Sequence, residues 1–318
     1  MITLDRVSKR YNLQAGFFAP VGRYVYAVNG LSMELRDNEI YGLVGESGCG
    51  KTTTARMIIR MEEATEGNIE YREGDERYSV TELDKAGLMR YRSKVKYIFQ
   101  DPARSLNPRM SVEDILIAGY RYSPHWPGRK RAREEAKAIL QEVGLGPDDL
   151  ERRPADFSGG QRQRISIARA LIQRPRVLIC DEVVSALDVS IQGQILSLLL
   201  RLREEYNLSM LFIAHDLAVV SYISDRIGVM YRGVLVEEAP AKELSSSRHH
   251  PYTQHLYSSI PQIGRAYSPM PKGTFSEKPD PTVSPLEPEE MAALTETRAG
   301  RPFMQEVATG HYVSSLFV

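Results

Sequence analysis

The sequence has few of the features that would place it in a membrane or in an oxidising compartment. Its 318 residues include two cysteines, Cys49 and Cys180, and no closely spaced cysteine pair of the metal-binding type. Apolar runs such as 195–200 and 210–214 are far shorter than the roughly 20 residues that a membrane-spanning helix needs. Residues 1–10 carry charges where a secretory signal peptide is apolar. These absences predict a reduced, cytosolic protein.

The chain also lacks a net charge. Lys and Arg number 41, Asp and Glu number 41, and the formal net charge is zero. No overall basic field is therefore present of the kind that attracts nucleic acid or anionic lipid. The prediction is a protein without a nucleic-acid partner, although a local basic patch stays open at this point.

Strand and helix patterns alternate over residues 1–260, which is typical of an α/β domain built on a largely parallel sheet. Continuous apolar runs predict buried strands at 40–44, 177–180 and 210–214. Apolar residues at helical spacing predict two helices, at 132–143 and 189–203. After Pro261, prolines interrupt every periodic pattern and predict an extended or irregular tail, whose apolar end at 312–318 could dock onto a surface.

A glycine-rich turn lies between a predicted strand and a predicted helical stretch at 53–61. Its sequence at 45–52, GESGCGKT, matches the phosphate-loop pattern G-x-x-x-x-G-K-[ST]. Small residues let backbone N–H groups converge on phosphate oxygens, and the following helix adds the positive end of its dipole. Lys51 supplies a charge near the β- and γ-phosphates, and the Thr52 hydroxyl can bind Mg²⁺.

Two acids, Asp181 and Glu182, directly follow the predicted strand at 177–180. An unpaired buried charge is costly, so a nearby cation is expected. In a phosphate-loop protein the first acid belongs to the Mg²⁺ shell and the second can polarise an attacking water; the alternative is two solvated carboxylates. His215 ends the strand at 210–214, where a lone histidine is more often structural. Beside the other motifs it could hold a γ-phosphate and the water near Glu182.

The segment 157–161, FSGGQ, resembles the signature of the ABC ATPases, with Phe157 in place of the usual leucine. It begins a helix with Ser and Gly, so it predicts a second anion site. The other family elements occur in order: Gln100 resembles the Q-loop glutamine, 185–188 the D-loop and His215 the switch histidine. Tyr11 resembles the aromatic residue that stacks on adenine. Two further tyrosines, Tyr24 and Tyr26, are alternatives for that role.

Within the ABC family the chain is most similar to the oligopeptide and dipeptide importer ATPases, and among them to the F-type subunit. The resemblance is carried by 44–51, 99–109, 185–192 (SALDVSIQ) and the His-Pro-Tyr segment at 250–253. Many relatives hold an iron–sulfur cluster with tail cysteines, but 261–318 contains no cysteine, so no cluster is predicted. Val183 also replaces the usual proline, which should change local stiffness rather than chemistry.

This resemblance implies an α/β fold: a P-loop ABC-type nucleotide-binding domain with a RecA-like core, an antiparallel β subdomain and a helical signature subdomain at about 101–172. The ATPase domain would span 1–260 and the tail 261–318. ATP and Mg²⁺ are the implied cofactors, with Glu182, His215 and Gln100 as catalytic residues and Thr52, Gln100 and Asp181 as metal residues. The implied nucleotide-binding residues are Tyr11, Gly45, Ser47, Gly48, Cys49, Gly50, Lys51, Thr52, Thr53, Ser158, Gly159, Gly160, Gln161 and Asp188.

The resemblance also implies partners at the cytoplasmic face of the cell membrane. These are a paralogous ABC ATPase paired head to tail, two membrane-spanning permease subunits and an extracytoplasmic substrate-binding protein. Residues 101–110 would receive a coupling helix from a permease. Peptide is the expected cargo, with oligosaccharide, nickel and metallophores as alternatives. An ABC ATPase acting on DNA or ribosomes is disfavoured, because only one motif set is present and no sustained heptads separate Gln100 from Ser158.

Overall fold

A computed structural model describes residues 1–12, 24–123, 125–258 and 304–315. Most of the predicted irregular tail after Pro261 therefore lies outside the described residues. No helix within the described ranges is long and apolar enough to cross a membrane.

Strands and helices alternate as expected from residue 76 to residue 231, but the expected alternation is wrong elsewhere, where three pairs of successive strands within 24–240 have no helix between them. The strands are β1 (Ile2–Asn12), β2 (Tyr24–Leu35), β3 (Ile40–Val44), β4 (Glu66–Glu73), β5 (Glu76–Ser79), β6 (Val95–Ile98), β7 (Val177–Asp181), β8 (Ser209–Ile213), β9 (Arg226–Tyr231), β10 (Val234–Pro240), β11 (Met304–Ala308) and β12 (His311–Ser314). The helices are α1 (Lys51–Ile58), α2 (Lys85–Lys94), α3 (Pro102–Ser105), α4 (Val112–Tyr120), α5 (Arg129–Glu142), α6 (Gly159–Leu171), α7 (Val189–Tyr206), α8 (Leu217–Ile223), α9 (Ala241–Ser246) and α10 (Pro251–Ser258). Short 3₁₀ turns occupy Pro147–Glu151 and Pro154–Asp156.

The chain divides into two compact units, one containing residues 1–35, 41–81 and 215–318 and the other 36–40 and 82–214. In the first unit, four strands form an antiparallel sheet in the order β2-β1-β4-β5. A second group of strands runs in the order β11-β12-β10-β9-β3, in which only the β3–β9 pair is parallel. Hairpins join β9 to β10 and β11 to β12, whereas β12 pairs with β10 from far along the chain. The largely parallel sheet expected from the sequence is therefore wrong for this unit.

Strand β3 is buried along its whole length, as its uninterrupted apolar sequence predicts. It pairs with β9, with Val44 opposite Val229, and delivers the chain to the glycine-rich turn at Gly45. Near the other end of the same sheet, β12 pairs with β10 through Tyr312 opposite Glu238. The C-terminal hairpin β11–β12 is thus part of this unit's sheet, and the predicted irregular tail is wrong for residues 304–314.

The second unit contains the parallel strands β6, β7 and β8, with β7 between the other two. Helix α5 buries the predicted apolar stripe, and Gly144 follows it with φ +78°, the left-handed geometry that ends many helices. The N–H of Leu145 donates to the carbonyl of Leu140 at 2.8 Å, which completes the helix end. Because parallel strands share one carboxyl edge, the ends of β6 and β7 bring Gln100 and the 181–182 acids to the same side.

Candidate nucleotide site

The glycine-rich turn needs glycine at two positions for steric reasons. A Cβ on Gly45 would lie 2.1 Å from the carbonyl oxygen of Met230, and a Cβ on Gly50 would lie 2.2 Å from that of Ala27. Both glycines also have positive φ angles, 153° and 109°. Gly48, with φ +82°, differs because an added Cβ would meet no atom within 4 Å. The loop is therefore closely packed on its protein side and open at Gly48.

Lys51 is the first residue of α1 and is 4% exposed. Its ammonium group donates to the carbonyl oxygens of Gly45 and Glu46 at 2.7 and 2.8 Å. The ammonium nitrogen also lies 3.7 Å from the sulfur of Cys49, which is a weak acceptor. The loop thus holds a buried cation beside the N-terminus of α1, an arrangement suited to phosphate.

The other residues of the loop differ in exposure. Ser47 is exposed and Cys49 is buried, while Thr52 and Thr53 are half-buried on the first turn of α1. The Cys49 N–H donates to the Glu46 carbonyl at 3.2 Å and closes the turn. Burial raises the pKa of the Cys49 thiol, which is therefore neutral at physiological pH. Cys49 serves the loop through its backbone and its packing.

Tyr11 ends β1 and is 42% exposed. Its hydroxyl donates to the Glu62 carboxylate, and the Lys9 ammonium lies 5.2 Å from the ring centroid. The competing ring of Tyr24 lies 4.8 Å from the Arg10 guanidinium. An exposed ring whose hydroxyl is held by a hydrogen bond is suited to stacking on a base. The adenine role of Tyr11 stays a prediction. His215 is exposed in the same unit as the glycine-rich turn.

In the second unit, Asp181 and Glu182 have different surroundings. Asp181 is 3% exposed at the end of β7, and the Tyr97 hydroxyl donates to its carboxylate at 2.5 Å. Glu182 is half-buried with φ +49°, a left-handed backbone that a non-glycine residue seldom adopts. Its N–H donates to the Ile213 carbonyl at 2.9 Å, which holds the turn. The alternative of two solvated carboxylates is wrong for Asp181.

Gln100 follows β6 and reaches Glu182 directly. Its side-chain amide nitrogen donates to the Glu182 carboxylate at 2.6 Å. The next residue, Asp101, caps α3 by accepting from the N–H groups of Ala103 and Arg104. The cap fixes where the chain turns after Gln100. The predicted Q-loop glutamine and the predicted general base are therefore in contact.

The signature segment begins α6 through a reciprocal cap. The Ser158 hydroxyl accepts from the Gln161 N–H at 3.3 Å, and the Gln161 side chain accepts from the Ser158 N–H at 2.9 Å. Gly159 and Gly160 form the first turn, and a Cβ on Gly160 would lie 2.7 Å from Ile191 of α7. The predicted helix N-terminus is therefore present, with the serine and glutamine holding it.

Asp188 of the D-loop immediately precedes α7 and is exposed. The Gln192 amide donates to the carbonyls of Val184 and Leu187, which fixes the preceding turn. A cavity of about 120 Å³ is lined by residues of the Q-loop, the signature and the D-loop, among them Gln100, Gly159 and Leu187. The second unit thus brings together three motifs that are far apart in the chain.

Site residues fall in both units. The first contains Tyr11, the loop residues Gly45–Thr53 and His215; the second contains Gln100, Ser158–Gln161, Asp181, Glu182 and Asp188. Tyr97, which holds Asp181, is not singled out by any motif. The β6–β7 pairing sets Tyr97 opposite Ile179 and hence diagonal to Asp181 on the same face, and no local sequence pattern specifies that register.

The sequence of this chain matches two protein families. The family described as "ABC transporter" matches residues 28–185, and "Oligopeptide/dipeptide transporter, C-terminal region" matches 236–282. An oligopeptide transport ATP-binding protein, OppF of Bacillus subtilis, is 45% identical over 91% of this chain and 92% of its own length. The chain belongs to the ABC transporter ATP-binding proteins of the oligopeptide type.

Two further matches place this ABC ATPase more broadly. The glutathione import ATP-binding protein GsiA of Escherichia coli is 40% identical over 96% of this chain, which covers 47% of GsiA. A solved dimeric ATP-binding cassette bound to ADP and phosphate has a TM-score of 0.66 and 26% identity, covering 76% of this chain and 99% of that one. The predicted ABC-type nucleotide-binding fold and the ATPase class are therefore confirmed.

Proposed function

We propose that this ABC ATPase acts at the cytoplasmic face of the cell membrane and powers the import of dipeptides or oligopeptides. The observation that carries the proposal is that two family matches occur in the same chain. The phosphate loop, Gln100, the signature and the acids at 181–182 lie in the ABC match at 28–185. The following match at 236–282 is to a C-terminal region of oligopeptide and dipeptide transporters. The same proposal assigns residues 1–260 to the ATPase domain and about 101–172 to its helical subdomain.

The residues of the glycine-rich turn fit a nucleotide triphosphate. Open space at Gly48 leaves room for phosphate oxygens, and the Lys51 ammonium is held in the loop by the carbonyls of Gly45 and Glu46. The proposed contacts are Lys51 with the β- and γ-phosphates, loop N–H groups with phosphate oxygens, and the Tyr11 ring with adenine.

The proposed metal residues fit Mg²⁺ in the chemistry of their donors. Thr52, Gln100 and Asp181 offer hydroxyl, amide and carboxylate oxygens, the ligand types that Mg²⁺ prefers. Among the described residues no group of three His, Cys, Asp or Glu could hold a metal ion. Mg²⁺ needs no such group here, because it commonly binds through one or two carboxylates together with substrate phosphates.

For hydrolysis we assign Glu182 as the group that takes a proton from the attacking water. Gln100 orients that water through the hydrogen bond it shares with Glu182, and His215 holds the γ-phosphate. Asp181, held by Tyr97, belongs to the metal shell. This division suits phosphoryl transfer, in which positioning and charge stabilisation supply most of the catalysis.

The signature and D-loop are proposed to act on a second nucleotide-binding chain. The α6 N-terminus at Ser158, with Gly159, Gly160 and Gln161, is suited to the γ-phosphate held by that chain. Asp188, the last residue of the D-loop, is exposed. The F-type resemblance favours a paralogue as the head-to-tail partner.

Permease subunits and an extracytoplasmic binding protein complete the proposed assembly. Residues 101–110 would receive the coupling helix, and the Asp101 cap gives that segment a defined start. Cargo other than peptide, such as oligosaccharide, nickel or metallophores, remains the alternative.

Isolation of the tagged chain from gently solubilised native membranes tests this assembly, with co-isolated proteins identified by mass spectrometry. The proposal expects two multispanning proteins and a second ATPase. Recovery of the chain alone, or with ribosomes or DNA, would contradict the transport assignment and leave the ATPase class intact.

A further inference from the structure

The peptide group between Gly45 and Glu46 is held at both of its ends. The Glu46 N–H donates to the Tyr252 hydroxyl oxygen at 3.0 Å, and the Gly45 carbonyl accepts from the Lys51 ammonium at 2.7 Å. A trans peptide directs its N–H and C=O in opposite directions. Tyr252 and Lys51 therefore bind opposite ends of one rigid unit. We propose that Tyr252 is a positioning residue for Lys51, acting through this peptide group.

The position of the Lys51 ammonium depends on this region of backbone. Both of its oxygen acceptors, the carbonyls of Gly45 and Glu46, adjoin the peptide that Tyr252 holds. The Gly45 carbonyl is part of that peptide, so a turn of the peptide would move it directly, while the Glu46 carbonyl belongs to the next peptide along the chain. Since the Gly45 carbonyl is one of the two oxygen acceptors of the ammonium group, its movement would shift the ammonium as well. A small rotation at Glu46 thus reaches the group assigned to the phosphates.

Tyr252 is itself fixed. It is 2% exposed in α10, and its ring centroid lies 4.3 Å from that of Tyr231 in β9. Its backbone N–H donates to the His250 ring nitrogen Nδ1 at 3.1 Å. Burial raises the pKa of the Tyr252 phenol, so the hydroxyl is neutral at physiological pH. A fixed, neutral hydroxyl suits a permanent backbone contact.

The hydrogen bonds continue from Tyr252 to the C-terminal hairpin. The His250 N–H donates to one carboxylate oxygen of Glu237 at 3.1 Å, and the other oxygen lies 2.7 Å from Nε2 of His311 in β12. Glu237, His250 and His311 are completely buried. This series of hydrogen bonds gives the His-Pro-Tyr segment a role in the first unit, because it links the C-terminal hairpin to the loop that carries Lys51.

The inference rests on the phosphate role proposed for Lys51. Tyr252→Phe and Lys51→Ala separate the role of Tyr252 from that phosphate role. Tyr252→Phe removes the hydroxyl and keeps the ring against Tyr231. Tyr257→Phe is the control, because its hydroxyl lies on the same helix and 3.3 Å from Ser221. Lys51→Ala tests the proposed phosphate role directly. Affinity for Mg-ADP is measured by calorimetry on the full chain, KM and kcat for ATP by phosphate release, and folding by thermal unfolding.

Loss of one hydrogen bond predicts that Tyr252→Phe weakens ADP binding and raises the KM for ATP by about three- to tenfold. The change in kcat should be smaller, because Lys51 contacts the phosphates before and during reaction. Tyr257→Phe should match the wild-type chain. In the Lys51→Ala background, Tyr252→Phe should weaken ADP binding no further, since both changes remove one interaction.

Three outcomes separate the claims. An unchanged KM and ADP affinity in Tyr252→Phe, with Lys51→Ala strongly impaired, would overturn the role of Tyr252 alone. Equal losses from Tyr252→Phe in the wild-type and Lys51→Ala backgrounds would also overturn it, because the effect would then bypass Lys51. Normal ADP binding by Lys51→Ala would instead contradict the proposed phosphate site.

Discussion

The side-chain amide of Gln100 donates to the carboxylate of Glu182 at 2.6 Å. This contact joins the second residue after β6 to the first residue after β7, which are far apart in the chain. A carboxylate has about four acceptor positions, so Glu182 can bind a water while it keeps Gln100. The contact therefore supports a shared role, in which Gln100 orients what Glu182 activates.

Replacement of Glu182 by Gln should leave nucleotide binding intact and abolish turnover. The amide keeps the size of the side chain but cannot accept a proton, and loss of general-base catalysis typically lowers a rate by about 10²- to 10⁴-fold. ATP affinity and phosphate release measure the two properties separately. Glu204→Gln, on the exposed side of α7, is the matched control. Near-normal hydrolysis by Glu182→Gln would remove Glu182 from its role.

Tyr97→Phe should raise the Mg²⁺ concentration needed for half-maximal ATPase activity. The substitution removes the hydrogen bond to Asp181, whose carboxylate is buried and needs a fixed orientation to serve the metal shell. Loss of a hydrogen bond to a charged group predicts about a tenfold shift. Tyr122→Phe, at a side chain that is 73% exposed, is the control. An unchanged Mg²⁺ requirement would show that Asp181 does not depend on Tyr97.

Ser158→Arg should prevent ATP-driven pairing while the chain still binds nucleotide. The change removes the α6 cap, at a cost of about 1 kcal/mol, and places a long side chain at the proposed anion site. Sedimentation with ATP measures pairing, using the co-isolated second ATPase where one is found. Ser111→Arg is the control because Ser111 caps α4 in the same way. Unchanged pairing in Ser158→Arg would contradict the signature role.

The chain should contain no iron–sulfur cluster. The whole tail from 261 to 318 has no cysteine, and Ser314 and Ser315 stand where the resemblance leads one to expect a cysteine. Thiolates are the usual ligands of such clusters. Iron and acid-labile sulfide are measured after anaerobic purification. Stoichiometric iron and sulfide would overturn this prediction.

Local patterns predict those parts of the fold and site that local chemistry determines. Strand β3, the glycine-rich turn and α7 follow from apolar runs, glycine spacing and helical periodicity within single segments. The cap formed by Ser158 and Gln161 is likewise a short-range pattern, because three residues separate its partners.

Contacts set by strand register could not be predicted in this way. Tyr97 reaches Asp181 only because β6 and β7 are paired with a particular register, which no local pattern specifies. The link from Tyr252 to Glu46 joins residues far apart in sequence. A His-Pro-Tyr match indicated the family but carried no information about that contact.

Peptide uptake in cells tests the central claim most directly. A strain lacking this gene is complemented with the wild-type chain, Glu182→Gln or Glu204→Gln, and uptake of a radiolabelled tripeptide is measured. The account predicts that the wild-type and Glu204→Gln chains restore uptake and that Glu182→Gln does not. Uptake that persists without the chain, or that Glu182→Gln restores in full, would contradict the claim that ATP hydrolysis at this site powers peptide import.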